Sequence, residues 1–198
     1  DGLASHAGVA PEKGTSAIVI AGLAIAELQA GGWHGLIEQG KNRGTSNIGI
    51  VTGGNATNVV TPHVTLKAEA RSHDPKFRKQ IVDTFRIAFD RAAARVKSKN
   101  GISGRIKFHS DLQYESFQLS DDEPSVAEAK RAIRSLGEEP ELKLSNGGLD
   151  ANWLNARGLP TVTLGAGQQD VHTVNERLDI AAFVRGCGVA LALATGSA

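Results

Sequence analysis

The stretch from Val64 to Val96 constrains the fold more than any other part of the chain. Val64, Leu66, Ala68 and Ala70 alternate with Thr65, Lys67, Glu69 and Arg71, a period of two that marks a half-buried strand with one polar face. Asp74-Pro75 then supplies an N-cap and a first-turn proline. Phe77, Ile81, Phe85, Ala88, Ala92 and Val96 follow at spacings of three and four, which predicts a helix with one apolar stripe. Asn100-Gly101 ends it. A polar-faced strand running directly into an amphipathic helix calls for a sheet covered on one side by helices.

The flanking segments extend that plan. Gly2 to Ala7 reads as a short strand, followed by a turn through Gly8–Gly14. Thr15 or Ser16 caps a helix running to about Gln29, closed by Gly31-Gly32. Ile48, Ile50 and Val51 suggest a strand ending at Gly53-Gly54, and Ile106 and Phe108 begin another that reaches Phe117. The order strand-helix-strand-strand-helix-strand is the ferredoxin-like βαββαβ arrangement, an α+β layer with both helices on one face.

Ser120-Asp121-Asp122-Glu123-Pro124 is an acidic, proline-containing break, and the boundary is expected there, dividing residues 1–119 from 120–198. Beyond it helices are expected over Val126–Leu136, from Asp150 to about Arg157, and over Leu178–Thr195. Short strands are expected at Leu142 and Leu144 and over 160–164. Alternating helix and strand points to an α/β layer with buried parallel strands, but two weak strands are fewer than such a sheet normally holds. The tail reads as half of a domain.

Composition narrows the function classes. Of 198 residues, 40% are hydrophobic, and 22 basic side chains face 21 acidic ones, so neither disorder nor general attraction to nucleic acid or lipid is expected. Asp74–Lys99 carries eight basic and three acidic residues, a solvated helix face without the aromatic stacking residues of an RNA-binding sheet. No stretch reaches the roughly 20 apolar residues of a membrane span, and a cytoplasmic protein is expected. Cys187 is the single cysteine, which excludes disulfide scaffolds and cysteine-built zinc sites. The chain lacks methionine and opens at Asp1-Gly2-Leu3, so a fragment or processed product is expected.

Three segments hold candidate chemistry. His6 lies at a strand end before a glycine- and proline-rich turn; a histidine satisfied within that turn is the commoner reading. Asn58 sits in the loop Gly53-Gly-Asn-Ala-Thr-Asn58, and Arg71 closes the polar-faced strand. Amide and guanidinium together can clamp a carboxylate; the plainer alternative pairs Arg71 with Glu69 or Asp74. His172 lies in Asp170-Val-His172-Thr-Val-Asn-Glu176, after a strand end where α/β folds gather ligands. Neutral imidazole there can bind zinc with Asp170 or Glu176 behind it, although a lone histidine is more often structural.

Taken in order, Ala4-Ser-His6-Ala-Gly-Val-Ala-Pro11-Glu-Lys-Gly14, Thr57-Asn58-Val-Val, Ala70-Arg71-Ser-His-Asp74, Asp150-Ala-Asn, Gly158-Leu-Pro-Thr-Val and His172-Thr-Val-Asn-Glu176 resemble the co-catalytic zinc exopeptidase and deacylase family of peptidase T, carboxypeptidase G and aminoacylase. The likeness is strongest to the peptidase T-like branch and covers essentially the whole chain. It implies that residues 1–119 are a lid and dimerisation domain and that 120–198 are the C-terminal part of an α/β catalytic domain. It also implies a homodimer through the lid, a small peptide or N-acyl amino acid substrate, and two zinc ions per active site that activate water. His172 would ligate one zinc. His6 would hold the scissile carbonyl or developing oxyanion, often in the partner subunit's site, and Asn58 and Arg71 would bind substrate.

Two departures follow from that comparison. Leu149 stands where the family commonly has serine. The family's His-x-Asp motif, bridging aspartate and catalytic Glu-Glu pair have no counterpart: His109-Ser110-Asp111 lies in an expected lid strand, and Glu138-Glu139 lies on the wrong side of the lid. The chain therefore reads as a fragment of a di-zinc peptidase without the N-terminal catalytic half, itself inactive and retaining no zinc. The competing reading is a non-catalytic ferredoxin-like dimerisation or small-molecule-binding module.

Overall fold

The computed structural model describes residues 1–196. Their packing separates the chain into two units, Asp1–Gln113 and Tyr114–Ala198, a division that falls ahead of the acidic break at Ser120.

The first unit is a helix-on-sheet layer. Helix α1 (Ala17–Ala30) begins where Ser16 Oγ accepts from Val19 N at 3.2 Å. Gly31 is still right-handed at its end, and Gly32 takes the left-handed turn with φ +69°. Strands β1 (Gly35–Gln39), β2 (Asn42–Gly53) and β3 (Val64–Arg71) form an antiparallel sheet in sequence order. The β2–β3 register slips once, at a bulge between Ile48 and Ile50. Helix α2 (Pro75–Arg95) starts at Asp74, whose carboxylate accepts from Lys76 N and Phe77 N. Its buried stripe, Phe77, Ile81, Phe85, Ala88 and Ala92, is the one the sequence spacing predicts. Ile20, Ala24 and Leu28 of α1 meet it over Ile37, Ile48, Leu66 and Ala70 of the sheet. Trp33 closes one edge, its ring 6.1 Å from that of Phe77.

The mixed α/β class and the antiparallel sheet agree with expectation, but the sheet has three continuous strands, not four. β1 is an addition: its single buried apolar residue, Ile37, is too little pattern to read. Residues 2–7 make two isolated bridges, Leu3 with Thr15 and His6 with Val59. Splitting its bonds between two neighbours leaves this segment no run long enough for a ladder. Residues 106–117 form no ladder either. Its approach to the first segment is reduced to one exchange, Arg105 N to Asp1 O and Asp1 N to Arg105 O, both at 2.9 Å.

The second unit is helical with little sheet. It contains α3 (Pro124–Ser135), α4 (Asp150–Ala156), a two-residue antiparallel hairpin of β4 (Gln168–Gln169) and β5 (Arg177–Leu178), and α5 (Ile180–Thr195). Asp150 is the first helical residue of α4, not its cap; Leu149 precedes it, and Asn152 Oδ1 accepts from Leu149 N at 2.9 Å. Asp179 caps α5 by accepting from Ala182 N at 3.0 Å. The strands expected at Leu142, Leu144 and 160–164 do not form, because no neighbouring strand among the described residues offers them a ladder. The core is a small contact of Ala132 on α3 with Val189 and Ala192 on α5.

Candidate functional site

The chain brings two of its candidate residues together through the backbone. Val60 N donates to Ser5 O and Ala7 N donates to Asn58 O, both at 2.9 Å. The His6 segment is thereby laid antiparallel against the Asn58 loop. Gly14 permits this closeness: a Cβ there would stand 2.4 Å from Ser5 Oγ and 2.8 Å from Val60 Cγ1. Thr61 O accepts from Ala17 N at 2.8 Å, tying the loop to the first turn of α1. Thr15, buried, donates from its hydroxyl to Ile102 O at 2.7 Å. Gly14, Thr15 and Thr61 are thus positioning groups: Gly14 was expected as part of a turn and Thr15 as a possible helix cap, a role that Ser16 takes instead, while nothing in the sequence singled out Thr61.

His6 is exposed, and its Nδ1 accepts from the N–H groups of Gly8 and Val9, both at 3.2 Å. An Nδ1 that accepts places the proton of a neutral imidazole on Nε2. The turn thus fixes both ring orientation and tautomer, and presents Nε2–H outward as a donor. Asn58 is also exposed. Beside its loop a shallow depression opens at the first turn of α1, lined by Ser16, Ile18, Asn55, Thr57, Val59 and Thr61.

Arg71 is not part of this pair. Gly53 pairs with Val64 where the Asn58 loop closes, and Arg71 ends β3 about 23 Å further along the strand. One chain therefore does not bring Arg71 beside His6 and Asn58. Arg71 donates to Glu69 Oε2 at 2.7 Å, and its side chain is 33% exposed. That contact is the plainer pairing weighed above, and a carboxylate ligand would compete with Glu69 for it.

In the second unit His172 lies in the β4–β5 hairpin with φ +65°, and Asp170 has φ +52°. Two non-glycine residues in the left-handed region within three positions is strained backbone. Local bonds hold it: His172 N donates to Glu176 Oε2 at 2.8 Å, Thr173 Oγ1 donates to Asp170 O at 2.7 Å, and Arg177 pairs with Asp170. Both carboxylates anticipated behind the imidazole are used instead to shape the loop. Among the described residues no three His, Cys, Asp or Glu side chains gather as a metal site would require. Zinc normally takes three or four protein ligands, so His172 with its neighbours does not make a complete zinc site.

Comparison with known proteins now decides the family. The profile of the M20 peptidase dimerisation domain matches residues 1–97. The chain carries an M20-family dimerisation domain. Its likeness extends through both units. It is 34% identical to a tripeptidase from Staphylococcus aureus and 36% identical to aminopeptidase PepT from Bacillus cereus, with TM-scores of 0.80 and 0.74. Each match covers 97% of this chain and 48% of the other. The YqjE protein of Bacillus subtilis is 37% identical over 192 residues, again 97% of this chain and 48% of its own. The chain thus spans about half the length of the relatives it matches. The two solved relatives are by name a tripeptidase and an aminopeptidase, and no described helix is long and apolar enough to cross a membrane.

Proposed function

We propose that this M20 chain is the lid (1–119) and the C-terminal part of the catalytic domain (120–198) of a peptidase T-like di-zinc hydrolase acting on short peptides or N-acyl amino acids in the cytoplasm. In that enzyme His172 supplies one metal ligand and the remaining ligands come from polypeptide that these residues do not include. The isolated chain is then inactive and holds no tight zinc. A homodimer forms through the lid.

The observation that carries the reading is the fixed tautomer of His6. With Nδ1 engaged by Gly8 and Val9, Nε2–H is oriented before substrate arrives, as a donor to a carbonyl oxygen that gains charge must be. Asn58, anchored one pairing away, adds an amide to the same edge. Arg71, at the far end of β3, binds a substrate carboxylate by displacing Glu69. A twofold pair of chains suits this separation, directing His6 and Asn58 toward one active site and Arg71 toward the other.

Steady-state kinetics of the full-length parent, on a tripeptide and its C-terminal amide, tests these roles. His6→Ala is expected to lower kcat about a hundredfold, the scale of a lost oxyanion donor. Arg71→Ala is expected to weaken kcat/KM for the acid by about 1–3 kcal/mol and to erase the preference for acid over amide. An unchanged preference would leave Arg71 as a surface ion pair. Hydrolysis by the isolated chain, or zinc retained by it through dialysis, would overturn the fragment reading.

A further inference from the structure

Two asparagines of the chain stand directly before glycine, in Asn100-Gly101 and Asn146-Gly147. Such a pair is chemically weak. Glycine has no Cβ to bar the approach, so its backbone nitrogen can reach the carbonyl carbon of the asparagine side chain and close a cyclic imide. Closure asks two things of the fold. The asparagine must be free to turn onto its own main chain, and the glycine N–H must be loosely held, because its proton leaves before the nitrogen attacks.

The two pairs are held very differently. Asn100-Gly101 is the tip of a locked turn: Gly101 N donates to Ser98 O at 2.9 Å, Ser98 N to Ile102 O at 3.0 Å and Lys99 N to Glu12 O at 2.6 Å. Ile102 N donates to the Ser98 hydroxyl, the hydroxyl of buried Thr15 donates to Ile102 O, and a Lys97–Ser103 bridge closes the base. Asn146-Gly147 lies between α3 and α4 in no helix or strand, and residues 141–150 are all exposed. Gly147 N donates at 3.2 Å to the Ser145 hydroxyl, a neutral, rotatable acceptor that water can replace. We propose that Asn146 is a site of spontaneous modification, converting to aspartate and isoaspartate, and that the turn spares Asn100. Gly147 N attacks Asn146 Cγ; the N–Cγ bond forms, the Cγ–Nδ2 bond breaks, and Nδ2 leaves as ammonia with the proton Gly147 gives up. Water then opens the imide. Cleavage of its N–Cγ bond leaves aspartate, and cleavage of its bond to the main-chain carbonyl carbon leaves isoaspartate. Both products carry a new carboxylate. Isoaspartate also routes the main chain through Cβ just ahead of Gly148, which packs so closely on Tyr114 that a Cβ there would stand 2.4 Å from its hydroxyl.

Peptide mass spectrometry of the chain, aged in mildly alkaline buffer with and without urea, tests this, with Asn100 as the internal control. In the folded chain Asn146 is expected to convert about tenfold faster than Asn100 or more, the factor set by the hydrogen bonds that must first open around Gly101. In urea the two rates are expected to converge. A Cβ at Gly147 meets only Ser145 Oγ, at 3.4 Å, so Gly147→Ala keeps the loop and is expected to slow conversion at Asn146 severalfold. Asn146→Gln is expected to remove the acidic form that ion exchange separates on ageing. Equal rates in the folded chain, faster conversion at Asn100, or an Asn146 that converts in urea alone overturns the proposal. So does a ratio that survives in urea, which puts the difference in neighbouring sequence and not in the fold. Aspartate without isoaspartate overturns it too, because direct hydrolysis of the side chain makes aspartate alone.

Discussion

The two units differ in how much of their apolar surface they bury. In Asp1–Gln113, eleven buried apolar residues form one cluster between two helices and a sheet. In Tyr114–Ala198 the buried cluster is Ala132, Val189 and Ala192, while Trp153, Ile180, Phe183, Val184 and Leu191 face solvent. Burial at about 25 cal/mol per Å² is the main term opposing chain entropy. The first unit therefore has the means to fold by itself, and the second keeps its elements without a core able to lock them. The lesson is that apolar content does not make a domain; layers that cover each other do.

The largest effect expected from this contrast is in core truncation. Phe77 is 2% exposed and central to the first cluster, so Phe77→Ala should cost about 3–5 kcal/mol. Val189→Ala, in a contact of few residues, should cost under about 1.5 kcal/mol. The two tryptophans report separately, Trp33 from the first unit and Trp153 from the second. Urea unfolding of Trp153→Phe and Trp33→Phe chains should give a cooperative transition at Trp33 and a broad, early one at Trp153. Equal, steep transitions at both would break the comparison.

A subtler expected effect concerns glycine. At Gly44 in β2 a Cβ would stand 2.7 Å from Arg71 O, 2.8 Å from Ile81 Cδ1 and 3.3 Å from Phe77 Cε1. The absent side chain is what lets α2 sit down on the sheet. Gly44→Ala should cost about 1–3 kcal/mol through overpacking. Gly165 in the second unit meets nothing within 4 Å and has no left-handed φ, so Gly165→Ala should be neutral or slightly stabilising. The Trp33 and Trp153 midpoints measure both.

How far the sequence is legible follows the same divide. Helix α2 and strand β3 were readable because their packing is written into spacing: Phe77, Ile81 and Phe85 on one stripe, Thr65, Lys67 and Glu69 on one face. β1 was not, because it opens on Gly35, is followed by Gly40 and has Ile37 as its one buried apolar side chain. The pairing of His6 with the Asn58 loop was also invisible, since backbone hydrogen bonds leave no side-chain pattern. In the second unit the expected strands at Leu142, Leu144 and 160–164 rested on apolar residues alone. An apolar run becomes a strand only where a neighbour offers its backbone, and sequence spacing does not supply the neighbour. The left-handed His172 was likewise unreadable, because the conformation comes from the contacts of Glu176 and Arg177 across the hairpin.

The smallest expected effect is electrostatic, and it probes whether surface charges also distinguish the units. The carboxyl of Asp83 on α2 is held below the usual carboxylate range, first by the hydrogen bond from Lys79 and then by the charges of Lys79 and Arg86; their nitrogens lie 2.5 and 2.6 Å away. A carboxylate whose folded pKa lies below its unfolded one adds stability above the unfolded value. That stability is lost as pH falls through the folded value, where both states are protonated. Asp83→Asn should therefore lower the Trp33 midpoint slightly at neutral pH, and the difference from the parent chain should close in acid. Salt should shrink it too, because Lys79 is largely exposed and Asp83 lies at the surface. Asp122, before α3, is held low first by the Ser120 hydroxyl, but no cooperative core lies behind it. Asp122→Asn is expected to leave the Trp33 midpoint where it was at every pH. A shift there would mean that the second unit contributes to the stability of the first, and the contrast drawn from their cores would have to be redrawn as one shared fold.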